Sequence, residues 1–347
     1  MRTRWFPLLA VAAAIAAVPV VSTDRLWLDT LVQILIFATF ATAWNMAAGG
    51  AGLFSFGHSA LFAIGAYGAA VPYARLGLSP YLGAGAAALL AILAALVIGV
   101  MSLRLRGHYF ALATLAFGQV FLILITNLTG VTGGPDGLTL PFHVGAANLT
   151  FTSIAPYVYI ALALYIATAA TAVVLRGRRV GYQMLAVRED QSAARSLGIP
   201  ALRVKLFAVA MSGLFAALAG SLYAFYTLFI TPQDTASLDV ATQPVVMAVI
   251  GGMFVTLGPL VGAALILALN QVVISVVGTD VAGLSGAIYG ALLIVVILTM
   301  PDGLLGGAGR LLHGRTAPGG WRLRPAGRET RPVTTAAPRD QKEARRA

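Results

Sequence analysis

Long apolar runs recur along almost the whole chain and leave little choice of fold. A helix needs about 20 apolar residues to cross a lipid bilayer, with roughly 17 to 25 tolerated. The runs predict an all-α polytopic membrane protein with about ten transmembrane helices, in a range of eight to ten. The weakest run is 243–257, which is short and could instead be half of a broken or re-entrant helix together with its neighbour. The runs are 5–21, 27–48, 53–74, 80–103, 109–128, 155–175, 206–229, 243–257, 259–277 and 284–300.

The composition agrees with a membrane protein and excludes several other classes. The 347 residues are 59% hydrophobic and only 10% charged, whereas soluble domains carry about a quarter charged residues. A net charge of +11 is compatible with nucleic acid, but the basic residues flank apolar runs, as contact with anionic lipid predicts. The chain has no cysteine, which excludes disulfides, thiolate metal sites and thiol catalysis.

The distribution of lysine and arginine predicts which ends of the spans face the cytoplasm. Arg2 and Arg4 precede the first run, which is either a cleaved signal peptide or, as we favour, a retained span. With ten spans and the N-terminus inside, all but two of the 23 basic residues fall on the cytoplasmic face. Only Arg25 and Arg75 are then outside, and the loops 129–154 and 230–242, which lack Lys and Arg, are placed outside as well.

Two polar regions interrupt or follow the apolar runs. Residues 1–309 are predicted to form the membrane domain, with a charged cytoplasmic loop at 176–205. Residues 310–347 carry ten basic and three acidic residues without apolar periodicity, which predicts a disordered cytoplasmic tail near anionic lipid.

The loop 176–205 is expected to contain a helix on which another protein docks. Residues 183–197 lack Gly and Pro, and Gly198 and Pro200 follow as stop signals. Two sets of residues recur at helical spacing, and small alanines among them would allow another surface to approach closely. They are Met184, Val187, Gln191 and Ala194, and Glu189, Ala193 and Leu197.

Several polar or glycine-rich positions are candidates for a translocation path or gate. Each also has a structural interpretation: tight packing around the glycines and His58, a plain turn at 132–137, and hydrogen bonds between helices for the amides. We do not expect His58 to bind a metal, because no carboxylate or second histidine lies near it in sequence. The candidates are Asn45, Ser55, Gly57, His58, Gln119, Gly133, Gly134 and Asp136.

The sequence lacks the motifs that would allow the chain to obtain energy for transport by itself. It has no P-loop, and its only lysines are Lys205 and Lys342. The acidic residues fall in loops, at span ends or in the tail, and no catalytic constellation appears in the membrane. We therefore expect a transport protein, not an enzyme, that takes its energy from a partner through the docking helix.

Four parts of the chain, between about residues 44 and 306, resemble the LivM-type permease subunits of bacterial branched-chain amino acid ABC importers. The third part is the most specific, because Glu189, Ala193, Leu197, Gly198 and Lys205 keep the family's spacing. The parts are residues 45–49 leading to LFSFGHSALFAIGAY; LRLRGHYFALATLAFGQV with TGGPDGL; VGYQMLAVREDQSAARSLGIPALRVKLFAVAMSGLFAALAGSLYA; and VIGGMFVTLGPLVGA with IYGALLIVVILTMPDGLLG.

The resemblance implies an importer permease bundle in the bacterial inner membrane, with both termini in the cytoplasm. It implies as partners a homologous permease subunit, two cytoplasmic ATPases that bind the ATP, and an extracytoplasmic solute-binding protein. The chain itself would need no cofactor. The Glu189–Gly198 helix would be the coupling helix that sits in a cleft of one ATPase, and closure of the ATPases would move the 182–198 helix to drive alternating access. Its predicted residues are Gly181, Arg188, Glu189, Ala193, Ala194, Leu197, Gly198 and Lys205.

Three departures from the family pattern leave the solute open. His108 stands where the family commonly has Asp, Gln119 where it has Glu, and Phe254 where it has Gly. Relatives with a similar pattern carry urea, short amides or other small polar solutes. A branched-chain amino acid is the first expectation, and another small polar solute is the alternative. A passive channel or a membrane enzyme fits the sequence less well.

Overall fold

The chain is helical along most of its described length. The computed structural model describes residues 6–21, 24–102, 108–277, 290 and 303–305. Within these stretches the helices are α1 Phe6–Val21, α2 Arg25–Ala51, α3 His58–Leu76, α4 Pro80–Ser102, α5 His108–Asn127, α6 Thr129–Thr132, α7 Ala155–Gly177, α8 Arg179–Glu189, α9 Gln191–Ser196, α10 Ala201–Thr227, α11 Pro232–Ala236, α12 Leu238–Gly251 and α13 Gly258–Val277.

The helices confirm the all-α polytopic prediction. Eight of the ten apolar runs coincide with helices and run 243–257 does so in part, while run 284–300, apart from residue 290, and the tail 310–347 lie outside the described residues. Within the described residues, five helices are long and apolar enough to cross a membrane: Arg25–Ala51, Pro80–Val100, His108–Asn127, Ala155–Gly177 and Ala201–Thr227. Phe6–Val21 and Gly258–Val272 are shorter apolar helices.

Helices α2 and α10 form the centre of the bundle, with α3, α4, α7 and α13 packed around them. Phe40 and Trp44 of α2, Phe62 of α3 and Phe225 of α10 are fully buried there. By contrast, α4 and α5 expose rows of large apolar side chains, as expected of helices that face lipid or a partner subunit. These include Leu89, Leu90, Leu93 and Val97 on α4, and Leu112, Val120 and Ile123 on α5.

Glycines allow α3 and α10 to cross with their backbones in contact. A Cβ atom on Gly65 would lie 1.9 Å from the Ala217 carbonyl oxygen, and one on Gly220 would lie 2.0 Å from that of Phe62. The Ser221 hydroxyl then donates to the Gly65 carbonyl at 2.9 Å. Small residues and hydroxyl groups are the usual means by which membrane helices approach this closely.

The segment 230–242 differs from its prediction as a loop. Strand β2 (Phe229–Ile230) pairs with β1 (Leu138–Thr139), and α11 and the first turn of α12 follow. Side-chain caps explain both helices, because Thr231 Oγ1 accepts from the Asp234 amide at 3.1 Å and Ser237 Oγ from the Val240 amide at 3.4 Å. The run 243–257 is likewise only partly helical, since α12 ends at Gly251 and a turn at 252–257 leads into α13.

Candidate coupling segment and solute path

The loop at 176–205, which we call the coupling segment, contains two helices where the sequence predicted one. Asp190 is extended, with φ −151° and ψ 114°, and separates α8 from α9. Its Oδ1 accepts hydrogen bonds from the Ser192 and Ala193 amides at 2.7 and 3.1 Å. The prediction of one helix over 183–197 is therefore wrong, because Asp190 caps a new helix instead of continuing the first.

The two helices of the coupling segment bury one set of side chains and expose another. Met184, Val187 and Ala194 are buried. Tyr182 is 65% exposed and Leu197 80% exposed, and Leu185 is also exposed. Large apolar side chains exposed in a polar segment are typical of a protein contact. We call these three residues, with exposed Glu189 and Ala193, the docking face.

Two predicted coupling residues lie behind the docking face. Ala194 is only 2% exposed and packs into the core. Lys205 belongs to α10, is buried, and donates from Nζ to Gln191 Oε1 at 2.7 Å. Both residues therefore hold α9 against the bundle and are not part of the surface that a partner would touch.

Glycines set the two boundaries of the coupling segment's helices. A Cβ atom on Gly181 would lie 2.1 Å from the Leu175 carbonyl oxygen, so only glycine lets α8 turn back against the end of α7. Gly198 has φ +78° just after α9, as its predicted role as a stop signal requires.

Arg188 connects the coupling segment to the bundle. Its Nη1 donates to the Gly49 carbonyl, near the end of α2, at 2.7 Å. Its guanidinium carbon lies 4.9 Å from the centre of the Phe254 ring, and Nη2 pairs with Glu189 Oε1 at 2.6 Å. Arg188 thus contacts a helix of the core, the turn 252–257 and the docking face at once.

Two further side chains hold the turn 252–257. Arg176 Nη1 donates to the Phe254 carbonyl at 3.3 Å, and Asn45 Nδ2 donates to the Met253 carbonyl at 2.8 Å. Beside them is a cavity of about 40 Å³, which holds water at most. Asn45 was a candidate path residue, and its amide nitrogen instead fixes this turn.

Ser55, Gly57 and His58 form a packed junction. Trp44 Nε1 donates to the Ser55 carbonyl at 2.7 Å, and the Gly57 amide donates to Ser55 Oγ at 3.1 Å. His58 is 1% exposed, and its Nε2 lies 2.6 Å from Ser212 Oγ on α10. Among the described residues there is no group of three or more His, Asp or Glu that could hold a metal ion.

The other candidate path residues lie on α5 and in the turn after α6. Gln119 is half-buried on α5, and His108 begins that helix. Gly133 and Gly134 have φ of +80° and +62°, and the Thr132 hydroxyl donates to the Ile125 carbonyl at 2.6 Å, which fixes the turn. Asp136 is exposed at its tip. The candidate residues therefore fall on separate elements and do not form one lining.

A larger cavity, of about 320 Å³, lies between α2, α10, α11 and α12. Tyr223, one of its residues, lies about 33 Å along the axis of α10 from the start of that helix. The start of α10 is the end that lies next to the coupling segment. The acidic residues of the cavity lie in the segment 230–242, which was predicted to be an external loop, and no local pattern in the sequence indicates the cavity. It is lined by Phe37, Tyr223, Gln233, Asp234, Ser237, Asp239, Val240 and Gln243.

Comparison with known proteins agrees with this architecture. Residues 26–297 match the family described as branched-chain amino acid transport system / permease component. The chain is 29% identical over 303 residues to the high-affinity branched-chain amino acid transport system permease protein LivM of Escherichia coli K12, covering 80% of this chain and 69% of that protein. No solved structure gives a significant match.

Two further relatives are more distant. The probable branched-chain amino acid transport permease protein LivM of Methanocaldococcus jannaschii is 22% identical over 246 residues, 65% of this chain and 70% of that protein. The autoinducer 2 import system permease protein LsrC of Klebsiella pneumoniae is 27% identical over 168 residues, 48% of this chain and 46% of that protein.

Proposed function

The chain belongs to the family of branched-chain amino acid transport system permease components, and we propose that it carries branched-chain amino acids inward as one subunit of an ATP-binding cassette importer. The family match covers most of the chain, and the helices are those of a multi-pass membrane protein. The similarity to LivM proteins supports amino acids as the solute.

The partners we propose are a homologous permease subunit, two cytoplasmic ATPases and an extracytoplasmic solute-binding protein. The docking face supports an ATPase contact, because Tyr182, Leu185 and Leu197 expose apolar surface in a segment otherwise rich in charge. The chain lacks a P-loop, so the ATP would be bound and hydrolysed by the partner. The membrane would be the bacterial inner membrane, with the coupling segment and both termini on the cytoplasmic side.

The contacts of Arg188 are the observation that carries the mechanism. Closure of the ATPases on ATP would move α8 and α9, and Arg188 would transmit that movement to the Gly49 carbonyl and the turn 252–257. These lie at the ends of α2 and of the α12–α13 hairpin, two elements that also border the larger cavity. The spans would then rock between inward-open and outward-open arrangements, which is alternating access.

A second candidate keeps the architecture and changes the solute. The similarity to an autoinducer 2 import permease, together with Gln119 and His108 in place of acids common in the resembling family, favours a small polar solute such as urea or a short amide over a passive channel. Ordered docking helices have no purpose in a channel that needs no energy.

Uptake of labelled solutes tests the proposal. Leucine and urea uptake would be compared in cells with and without this gene, each with and without depletion of ATP. We expect loss of ATP-dependent leucine uptake when the gene is absent. Loss of urea uptake alone would support the second candidate, and uptake that survives ATP depletion would exclude an ATP-driven importer.

A further inference from the structure

The cavity between α2, α10, α11 and α12 is open to solvent and reaches far into the bundle. Gln233, Asp234 and Asp239 are exposed at its rim, while Phe37 is buried. Phe37 lies twelve residues after the first residue of α2, which is about 18 Å along the helix axis. The volume of about 320 Å³ is within the range of small-molecule sites, roughly 300 to 1,000 Å³.

The cavity carries negative charge without a basic partner. Among the described residues, neither Asp234 nor Asp239 forms an ion pair with a basic side chain. The sequence has no Lys or Arg between residues 206 and 309. Asp234 lines the cavity together with Tyr223. Carboxylates lining a cleft with apolar walls concentrate their field there and attract cations.

One buried polar atom of the cavity lining lacks a hydrogen-bond partner among the described residues. It is Gln243 Oε1, on a side chain that is itself half-buried. Native proteins rarely leave buried polar groups unpaired, so each unpaired atom calls for an explanation. An amide oxygen accepts N–H donors, which is what a bound ammonium group supplies.

The other residues that line the cavity can contact the aliphatic side chain and the carboxylate of a small amino acid. Phe37, Tyr223 and Val240 offer apolar surface to an aliphatic side chain, and the aromatic faces also attract an ammonium group. The Gln233 amide and the Ser237 hydroxyl are donors for a carboxylate. Urea and short amides have an N–H but no positive charge, so two carboxylates give them no advantage.

We propose that this cavity receives zwitterionic amino acids during import, with Asp234 and Asp239 as counter-charges for the ammonium group. The inference rests on the proposed import function for its biological role. It assigns the selection of amino acids over neutral solutes to this chain as well as to its solute-binding protein.

The natural absence of cysteine allows a direct test on the full chain in membranes. The Gln233→Cys variant would be labelled with two thiol reagents, the cationic aminoethyl methanethiosulfonate and the anionic sulfonatoethyl methanethiosulfonate. The control is Ala147→Cys, at an exposed position in another loop. We expect the cationic-to-anionic rate ratio at position 233 to exceed the control by at least about tenfold. Adding Asp234→Asn and Asp239→Asn should bring it to the control value.

Protection by ligands completes the test. Leucine should slow labelling of Gln233→Cys, while 4-methylpentanoate, which has the same aliphatic chain without the ammonium group, should not. Leu238→Cys, beside Asp239, replaces Gln233→Cys if that variant is not inserted. Equal rate ratios at the two positions, or equal protection by the two compounds, would overturn the proposal.

Transport separates this inference from the proposed function. In cells that depend on this permease, the Asp234→Asn/Asp239→Asn variant should raise the half-saturating leucine concentration at least about tenfold and leave the maximal rate within about twofold. Asp136→Asn, an acid outside the cavity, should change neither. An unchanged half-saturation would overturn the inference while leaving leucine import in place. If the natural chain carries no leucine, the labelling experiment still decides what the cavity attracts.

Discussion

The coupling segment and the acidic cavity lie near opposite ends of α10, and they use charged residues in different ways. In the coupling segment, Arg176 and Arg188 donate to backbone carbonyls of the bundle, and Arg188 also stacks on Phe254. In the cavity, neither Asp234 nor Asp239 has a basic partner among the described residues, and the Thr231 hydroxyl donates a hydrogen bond to Asp234 Oδ2 at 2.7 Å. A charged side chain that bonds to the protein's own backbone holds two elements together, whereas a carboxylate beside a cavity and without a basic partner is available to a ligand.

This difference predicts that substitutions in the coupling segment and substitutions in the cavity impair different steps of transport. Changes in the coupling segment should affect attachment of the ATPase and the transmission of its movement. Changes in the cavity should affect the concentration of solute needed for transport. The following variants test that separation, beginning with the largest expected effect.

Gly181→Ala should abolish most transport. Its methyl group would lie 2.1 Å from the Leu175 carbonyl oxygen, so α8 could not keep its position against α7. We expect uptake to fall by more than about tenfold, or 1.4 kcal/mol, at equal amounts of protein in the membrane. Gly85→Ala on α4 adds the same methyl where no atom lies within 4 Å, and it should have no effect. Equal uptake by the two variants would show that the α7–α8 contact is not needed.

Glu189→Lys should weaken binding of the ATPase. Glu189 is exposed on the docking face, so the lysine would place a positive charge against the ATPase where the natural chain has a negative one. Its pair with Arg188 is at the surface and contributes only about 0 to 1 kcal/mol to folding, so membrane insertion should be normal. Copurification of the ATPase with the permease is the measurement. Asp136→Lys makes the same charge change at an exposed turn outside the coupling segment and should copurify as the natural chain does. Normal copurification and uptake in Glu189→Lys would argue against the docking face.

Leu197→Asp and Ala194→Asp compare the two sides of the coupling segment. Leu197 is exposed, so its replacement should reduce ATPase binding while the chain keeps its resistance to heat. Ala194 is buried, and placing a carboxylate there should destabilise α9 by about 1 to 3 kcal/mol or more. Thermal inactivation and ATPase copurification, measured together, separate the two outcomes. Identical behaviour of both variants would contradict the assignment of Ala194 to the inner side.

Phe254→Leu should have the smallest effect. It keeps apolar bulk in the turn 252–257 and removes only the ring beneath the Arg188 guanidinium, which lies 4.9 Å from its centre. A contact of this kind contributes about 0.5 to 1 kcal/mol at exposed sites, so uptake should fall by less than about fivefold. Rates of leucine uptake would measure it. A loss as large as that of Gly181→Ala would mean that the ring has another role.

The sequence predicts the parts of this structure that depend on local patterns. Apolar runs identify the spans because a lipid bilayer requires helices of that length and composition. The glycine after α9 marks its end, as its position in the sequence predicts. Thr231 and Ser237 are further local signals, because Thr and Ser are typical cap residues at the starts of helices such as α11 and α12.

Other features depend on contacts between distant positions and are not available from local patterns. Arg188 meets a carbonyl 139 residues away, and nothing in the spacing of either residue indicates it. The break at Asp190 is hidden because the helical spacing of buried residues continues across it. The cavity escapes prediction because its lining comes from α2, α10, α11 and α12.

The number of leucine molecules transported per ATP hydrolysed, in the reconstituted complex, tests the central claim most directly. Arg188→Gln keeps the docking face and removes the charged contacts with Gly49 and Phe254, so ATP hydrolysis should continue while leucine per ATP falls at saturating leucine. Asp234→Asn/Asp239→Asn should raise the leucine concentration needed and leave leucine per ATP at saturation unchanged. If Arg188→Gln keeps the natural ratio, or if both variants lower it equally, the proposed division between the two ends of the molecule is wrong.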